Sequence, residues 1–215
     1  MPSAPSTRAL ASPQRSDVGA MALRHAILAT LEGREASGYD LSKRFALGVA
    51  NYWTATRQQL YRELERMEAE GLVAARRVEQ ERRPTKRVYS LTDAGREEIL
   101  RFSRQAPRAV AIRDELLVQV ETIDAGDPRA VLESILDRRA MAEAKVAAYS
   151  ATGERMRGGM GEEDFLRRGD RVGPYLTLLR GIAFETENLR WCDLAIEVIA
   201  AREVPHDLTV DVPAV

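Results

Sequence analysis

YWTATRQQLYRELERMEAEGLV, residues 52–73, decides the fold of this chain. An aromatic pair and a Thr open it, and a Thr side-chain oxygen can accept from the unpaired N–H groups of a helix start. It then runs without Gly or Pro to Gly71, where the missing Cβ lets a helix end in the left-handed region. Leu60, Leu64 and Met67 recur at helical spacing and form an apolar stripe. Thr56, Arg57, Gln58, Gln59 and Arg62 fall largely off that stripe, in the first two turns, where a helix presents its positive dipole end. Those residue types suit phosphate oxygens and base edges: Arg matches guanine, Gln matches adenine, and a Thr methyl meets the thymine methyl.

The neighbours on either side fit the same picture. Upstream, Met21 to Leu31 reads as a helix with Leu23, Ile27, Leu28 and Leu31 mostly on one side. His25 within it reads as a surface or core-edge histidine, because nothing nearby completes a metal site. Ser37-Gly38-Tyr39-Asp40 starts a second helix, with Ser37 as N-cap and Asp40 placed to bond back. Leu41 and Phe45 point inward; Tyr39 either packs or sets its hydroxyl on a phosphate, and spacing favours packing. Downstream, Leu72–Glu79 and Lys86–Leu91 read by their boundaries and residue types as two strands around a charged, Pro-containing turn. This hairpin carries Arg76, Arg77, Arg82, Arg83, Lys86 and Arg87 against Glu79 and Glu81, which suits a wing that grips phosphate. Thr92-Asp93 then caps a helix running to about Ser103.

Residues 104–107, ending in Pro107, mark a domain boundary, and the chain beyond is helical. Ala109–Ile123 reads as one helix; Asp127-Pro128 starts another, which reaches about Ser150. The stretch GERMRGGMGEE, 153–163, reads as a flexible linker. Gly173-Pro174 opens a long last helix to about Arg202, whose seam of Leu178, Ile182, Leu189, Cys192, Ile196 and Ile199 is broken only at Glu185. A helix with so broad an apolar side needs a partner surface, so self-association is expected.

Composition bounds the function. The chain has 215 residues, with 45% apolar and 30% charged residues, as in ordinary globular proteins. Residues 21–104 hold 16 Lys+Arg and 12 Asp+Glu, a net +4; residues 105–215 hold 14 and 20, a net −6. A basic first half on an acidic second half fits a polyanion partner for the first. Enzyme classes fare badly: there is no Gly-rich phosphate loop, no metal-spaced cluster and no nucleophile beside a base, and neither cofactor nor metal is expected. Cys192 has no disulfide partner in the chain and sits on the apolar seam. Residues 1–20 lack the apolar core of a signal peptide and read as a disordered arm, and 205–215 as a flexible tail, so a cytoplasmic location is expected.

The order of SGYDL (37–41), W-x(7)-Y-x-x-L (53–64), EAEGLV (68–73) and KRVYSLTDAGR (86–96) resembles the PadR family of bacterial transcriptional regulators. The second half is similar to the longer helical dimerisation domain of the subgroup related to virulence activators, with Arg113-Asp114-Glu115 and Trp191 in that pattern. The resemblance implies a mainly α fold with a small β-hairpin wing. An N-terminal winged helix-turn-helix would occupy 21–104 and a C-terminal helical dimerisation domain 108–204. It also implies a homodimeric repressor on a near-palindromic operator of double-stranded DNA, released by a small-molecule effector. On that reading Tyr39 and Tyr61 touch phosphate, as do Arg82, Arg83, Lys86 and Arg87 of the wing. Met141, Tyr175, Phe184 and Trp191 are candidate effector contacts, each with the alternative of plain core packing. The rival reading is a winged-helix module that holds protein instead of DNA.

Overall fold

The computed structural model describes residues 15–45, 55–80, 83–107, 109 and 113–203. The arm before Arg15, Trp53, Arg82 and the tail from Val204 lie outside the described residues, as do the side chains of Arg83 and Pro84. The chain divides into two compact units, Met1–Pro107 and Arg108–Val215.

The first unit runs α1 (Arg15–Leu31), β1 (Ala36–Ser37), α2 (Gly38–Arg44), α3 (Arg57–Ala69), β2 (Val73–Gln80), β3 (Arg83–Leu91) and α4 (Asp93–Ser103). Apolar spacing places the start of the first helix at Met21, but the helix begins at Arg15. Periodicity marks only where a helix buries a face, whereas the backbone ladder extends over any residues that tolerate it. Ser37 caps α2 through a full capping box: the Asp40 amide donates to Ser37 Oγ at 3.2 Å, and the Ser37 amide donates to Asp40. The exit of α3 is a Schellman turn in which Gly71 takes φ +73°, with Leu72 N–H donating to Met67 O at 2.9 Å and Gly71 N–H to Glu68 O at 3.0 Å.

The hairpin belongs to a three-stranded antiparallel sheet of order β1-β3-β2. Its first strand is only Ala36–Ser37, paired to Tyr89 and Val88, too short to leave a period in the sequence. Ile27, Leu28 and Leu31 of α1 meet Leu41, Leu60, Leu64, Met67, Val73, Tyr89 and Leu91 in one core. His25 is buried at the edge of this unit. Its Nε2 lies 2.7 Å from Glu98 Oε1, and its ring stacks on Phe102 at 3.8 Å.

The second unit holds α5 (Glu115–Glu121), α6 (Pro128–Arg157), α7 (Glu162–Arg168) and α8 (Val172–Glu203). Two expectations need correction. The helix expected over 109–123 is the short α5, because Asp114 caps it by accepting from Leu116 N–H at 3.1 Å and is itself clamped by Arg138 at 2.8 and 2.9 Å. The stretch 153–163 is not a linker: α6 continues through Gly153 to Arg157 and stops at left-handed Gly158, and Glu162 opens α7. Gly153 is buried within α6, where a Cβ would meet Leu178 at 3.4 Å and Tyr175 at 3.5 Å, ordinary contact distances.

Two apolar clusters fill the unit, one of Leu116, Val131, Ile135, Cys192 and Ile199, the other of Tyr149, Phe165, Tyr175 and Leu178. Glu185, which breaks the apolar seam of α8, is buried and satisfied: Lys145 Nζ donates to it at 2.7 Å and Asn188 Nδ2 at 3.0 Å. Among the described residues no helix is long and apolar enough to cross a membrane.

Candidate nucleic-acid interface

Helix α3 has two unlike faces. Leu60, Glu63, Leu64 and Met67 are buried, while Arg57, Gln58, Gln59, Tyr61 and Arg62 are exposed. Arg57 and Arg62 form no ion pair among the described residues, so their charge is open to a partner. Thr56 and Gln59 are different. The Gln59 amide donates to Thr56 Oγ1 at 3.2 Å, and the Thr56 amide donates to Gln59 Oε1 at 2.8 Å. The helix thus uses both side chains to cap itself, a duty the sequence reading assigned to the Thr after the aromatic pair, Thr54, which lies outside the described residues. What the pair offers outward is the Thr methyl and the Gln59 N–H₂ group.

Tyr61 leans back on α2. A Cβ on Gly38 would lie 2.3 Å from Tyr61 Cε1, so the SGYDL glycine makes room for this ring. Tyr39 is 51% exposed, with Lys43 Nζ 4.8 Å from its ring centroid. It is a surface residue, whereas spacing favoured packing. Both phenols are exposed and so accessible to a backbone phosphate.

The wing is partly self-neutralised. Arg76 donates to Glu35 at 2.5 Å, and Arg87 pairs with Glu68 on α3 while its guanidinium lies 5.5 Å from the Tyr89 centroid. These bonds raise the pKa of both arginines and lower that of Glu35. Lys86 lies close enough to Asp40 to help lower the latter's pKa, after the larger effect of the Ser37 hydroxyl. Arg77 stands directly across from Arg87 in the sheet register, is exposed, and pairs with no carboxylate among the described residues. The sequence reading counted Arg77 in the hairpin's charge and gave it no contact.

Another cation was missed altogether. Arg24 of α1 reaches α3: its Nε lies 3.0 Å from Glu63 Oε1 and its Nη1 2.7 Å from Glu70 Oε2. Arg66 donates to the same Glu70 at 2.9 Å. Burial works against the Arg24 charge, but the bonds to Glu63 and Glu70 outweigh it and its pKa is raised. The signal was present as a Glu at helical spacing with Leu60, Leu64 and Met67, a position a carboxylate occupies only with a partner.

The four candidate effector contacts fall in different surroundings. Tyr175 is 2% exposed, lies edge-on to Phe165, and donates to Glu162 at 2.7 Å. Burial first, then Glu162, raises its pKa. Trp191 packs beside the Leu116–Cys192 cluster instead. Met141 and Phe184 are exposed, the latter with Arg180 5.5 Å from its centroid. A shallow depression of about 270 Å³ between α5 and α6, lined among others by Gln119, Thr122, Asp127 and Ser134, includes none of the four.

Residues 27–101 match the family model described as the transcriptional regulator PadR-like family, and residues 112–200 match that of the virulence activator alpha C-term. A probable transcriptional regulator of Mycobacterium tuberculosis is 33% identical over 189 residues, covering 83% of this chain and 98% of that one. The crystal structure of Bacillus subtilis PadR in complex with operator DNA is similar at 26% identity and a TM-score of 0.65, over 83% of this chain and 99% of that one. The same B. subtilis protein in complex with p-coumaric acid gives 25% identity and a TM-score of 0.61, over 83% and 98%. That protein is named a negative transcriptional regulator.

Proposed function

This chain belongs to the PadR-like family of transcriptional regulators, and from that premise we propose that it is a repressor that holds a near-palindromic operator as a homodimer and releases it when a small molecule binds. It is a DNA-binding regulator and not an enzyme. The observation that carries the rest is the exposed first half of α3, where Arg57, Gln58 and Arg62 are open to solvent.

In the proposed complex two α3 helices enter successive major grooves about 34 Å apart. Arg57, Gln58 and Arg62 read base edges, with the Thr56 methyl and the Gln59 amide beside them. Tyr39, Tyr61, Arg82, Arg83, Lys86 and Arg87 hold the backbone and set register. Arg77 joins the wing's phosphate contacts.

Self-association through α6 and α8 is supported by the large apolar side chains these helices leave exposed: Leu136, Met141, Leu176, Phe184, Leu194 and Val198. An effector site drawn from Met141, Tyr175, Phe184 and Trp191 is supported by the p-coumaric acid complex of the B. subtilis relative. Because these residues stand apart in one chain, such a site needs a rearrangement or a second copy. The regulator acts in the cytoplasm, on the nucleoid.

Fluorescence anisotropy over a salt series, with the DNA upstream of the protein's own gene against a shuffled duplex, tests the proposal. Tighter binding to the upstream DNA with a steep salt slope is the expected result. Equal and weak binding to both duplexes, together with failure to enrich any site from a randomised library, counts against it.

A further inference from the structure

Apolar contacts are non-directional, so a helix held only by Leu60, Leu64 and Met67 can rock about its own axis. An Arg fork binds carboxylates at fixed angles and removes that freedom. Glu63 and Glu70 are two turns apart on one side of α3, and the guanidinium of Arg24 meets both. The first of these pairs is the sheltered one: the Glu63 side chain is 8% exposed and that of Arg24 17%. Arg24 itself stands on α1, whose Ile27, Leu28 and Leu31 are anchored in the core. The readers Arg57, Gln58 and Arg62 are exposed on the first two turns of the helix that this fork holds.

We infer that Arg24 is a positioning residue for DNA readout: by gripping Glu63 and Glu70 it fixes the rotation of α3, and so the aim of Arg57, Gln58 and Arg62. The inference rests on the reading of α3 as the recognition helix. The geometry sets its scale. A helix with side chains is 10–12 Å across, so a rotation of about 10° moves a side-chain tip by about 1 Å. Such a shift breaks a bidentate contact to a base edge and leaves a phosphate contact adjustable. Loss of the grip therefore costs discrimination between sequences, while general attraction to DNA persists.

The test uses the full chain and two duplexes: the tightest sequence that wild type recovers from a randomised library, and its shuffled counterpart. Arg24→Met, Arg24→Lys and Glu70→Gln are compared by anisotropy across salt, with folding verified by circular dichroism. Arg24→Met is expected to lower the ratio of the two affinities by about tenfold, the scale of one lost base contact, with the salt slope unchanged. Glu70→Gln, which removes one arm and leaves the Glu63 pair, is expected to lower it by a smaller factor, and Arg24→Lys to fall between wild type and Arg24→Met. Should Arg24→Met not fold, Glu70→Gln and Arg24→Lys decide alone. An unchanged ratio in the folded variants overturns the inference, leaving Arg24 a structural residue. So does a slope lowered by about one unit with both duplexes weakened alike, which makes Arg24 a direct phosphate contact. A wild-type chain that recovers no preferred duplex overturns the recognition-helix reading, and the inference falls with it.

Discussion

Gly38 and Tyr61 fit together so closely that a single methyl on the glycine would sit 2.3 Å from the tyrosine ring. The contact couples the start of α2 to the exposed side of α3. Gly38→Ala must push Tyr61 outward, because the ring is the movable partner. Urea unfolding is expected to show a loss of about 1–3 kcal/mol, partly recovered in a Gly38→Ala, Tyr61→Ala double variant. The single variant should also bind DNA more weakly at every sequence. Wild-type DNA affinity in Gly38→Ala would remove Tyr61 from the phosphate contacts.

Arg87 is held by Glu68, an acid on the helix proposed to enter the groove. Phosphate must compete with that carboxylate. Glu68→Gln frees the arginine and deletes a negative charge near the backbone, so affinity is expected to rise and the salt slope to steepen by about one unit. Weaker binding in this variant would show that the pair shapes the wing more than it restrains it.

Asp114 and Arg138 join α5 to α6 and give a pH signature. The hydrogen bonds from Arg138, set against a smaller effect of burial, hold the Asp114 pKa below its ordinary value. A depressed folded pKa means that the unfolded chain takes up the proton first as pH falls. The pair's contribution is therefore complete above about pH 3.9, the ordinary aspartate value, and is lost as pH drops through the folded value. Asp114→Asn keeps a capping oxygen and loses the charge. It is expected to cost about 1 kcal/mol at pH 6 and to flatten the fall of urea stability below about pH 3.9.

Glu185 interrupts an apolar seam and depends on Lys145, whose side chain is 51% exposed. Glu185→Leu would complete the seam while Lys145 returns to water, so the midpoint of thermal unfolding should rise, as buried pairs replaced by apolar side chains often allow. Glu185→Ala leaves a void and should lower it. A fall in both variants would mean that the carboxylate does more than fill space.

Leu194 is 59% exposed on α8. If the apolar face of α6 and α8 is the contact between two copies, Leu194→Asp should sediment as a monomer with an unchanged helical spectrum. A variant that still sediments like wild type would move the interface elsewhere.

What the sequence disclosed, and what it hid, divides along a physical line. The Ser37–Asp40 box and the Gly71 turn are local, so adjacent residues announce them. Gln59 was also local, and its capping duty went unread because glutamine equally suits a base edge. Glu63 looked like one charge among several on a helix of mixed charge. Its partner Arg24 stands 39 residues upstream, and only the fold reveals that pairing. The glycines of 153–163 misled in the opposite direction: glycine density reads as looseness, yet Gly153 lies buried inside α6 beside Leu178 and Tyr175. The strand β1 was invisible because two residues carry no period.

The two faces of α3 have a historical consequence. The side chains buried or paired to mount the helix, Leu60, Glu63, Leu64, Met67 and Glu70, are distinct from the exposed Arg57, Gln58 and Arg62. Substitutions among those three leave the mount intact, so a duplicated copy of this chain can drift to a new operator in single steps without first passing through an unfolded intermediate. The scaffold is inherited and the address is rewritten.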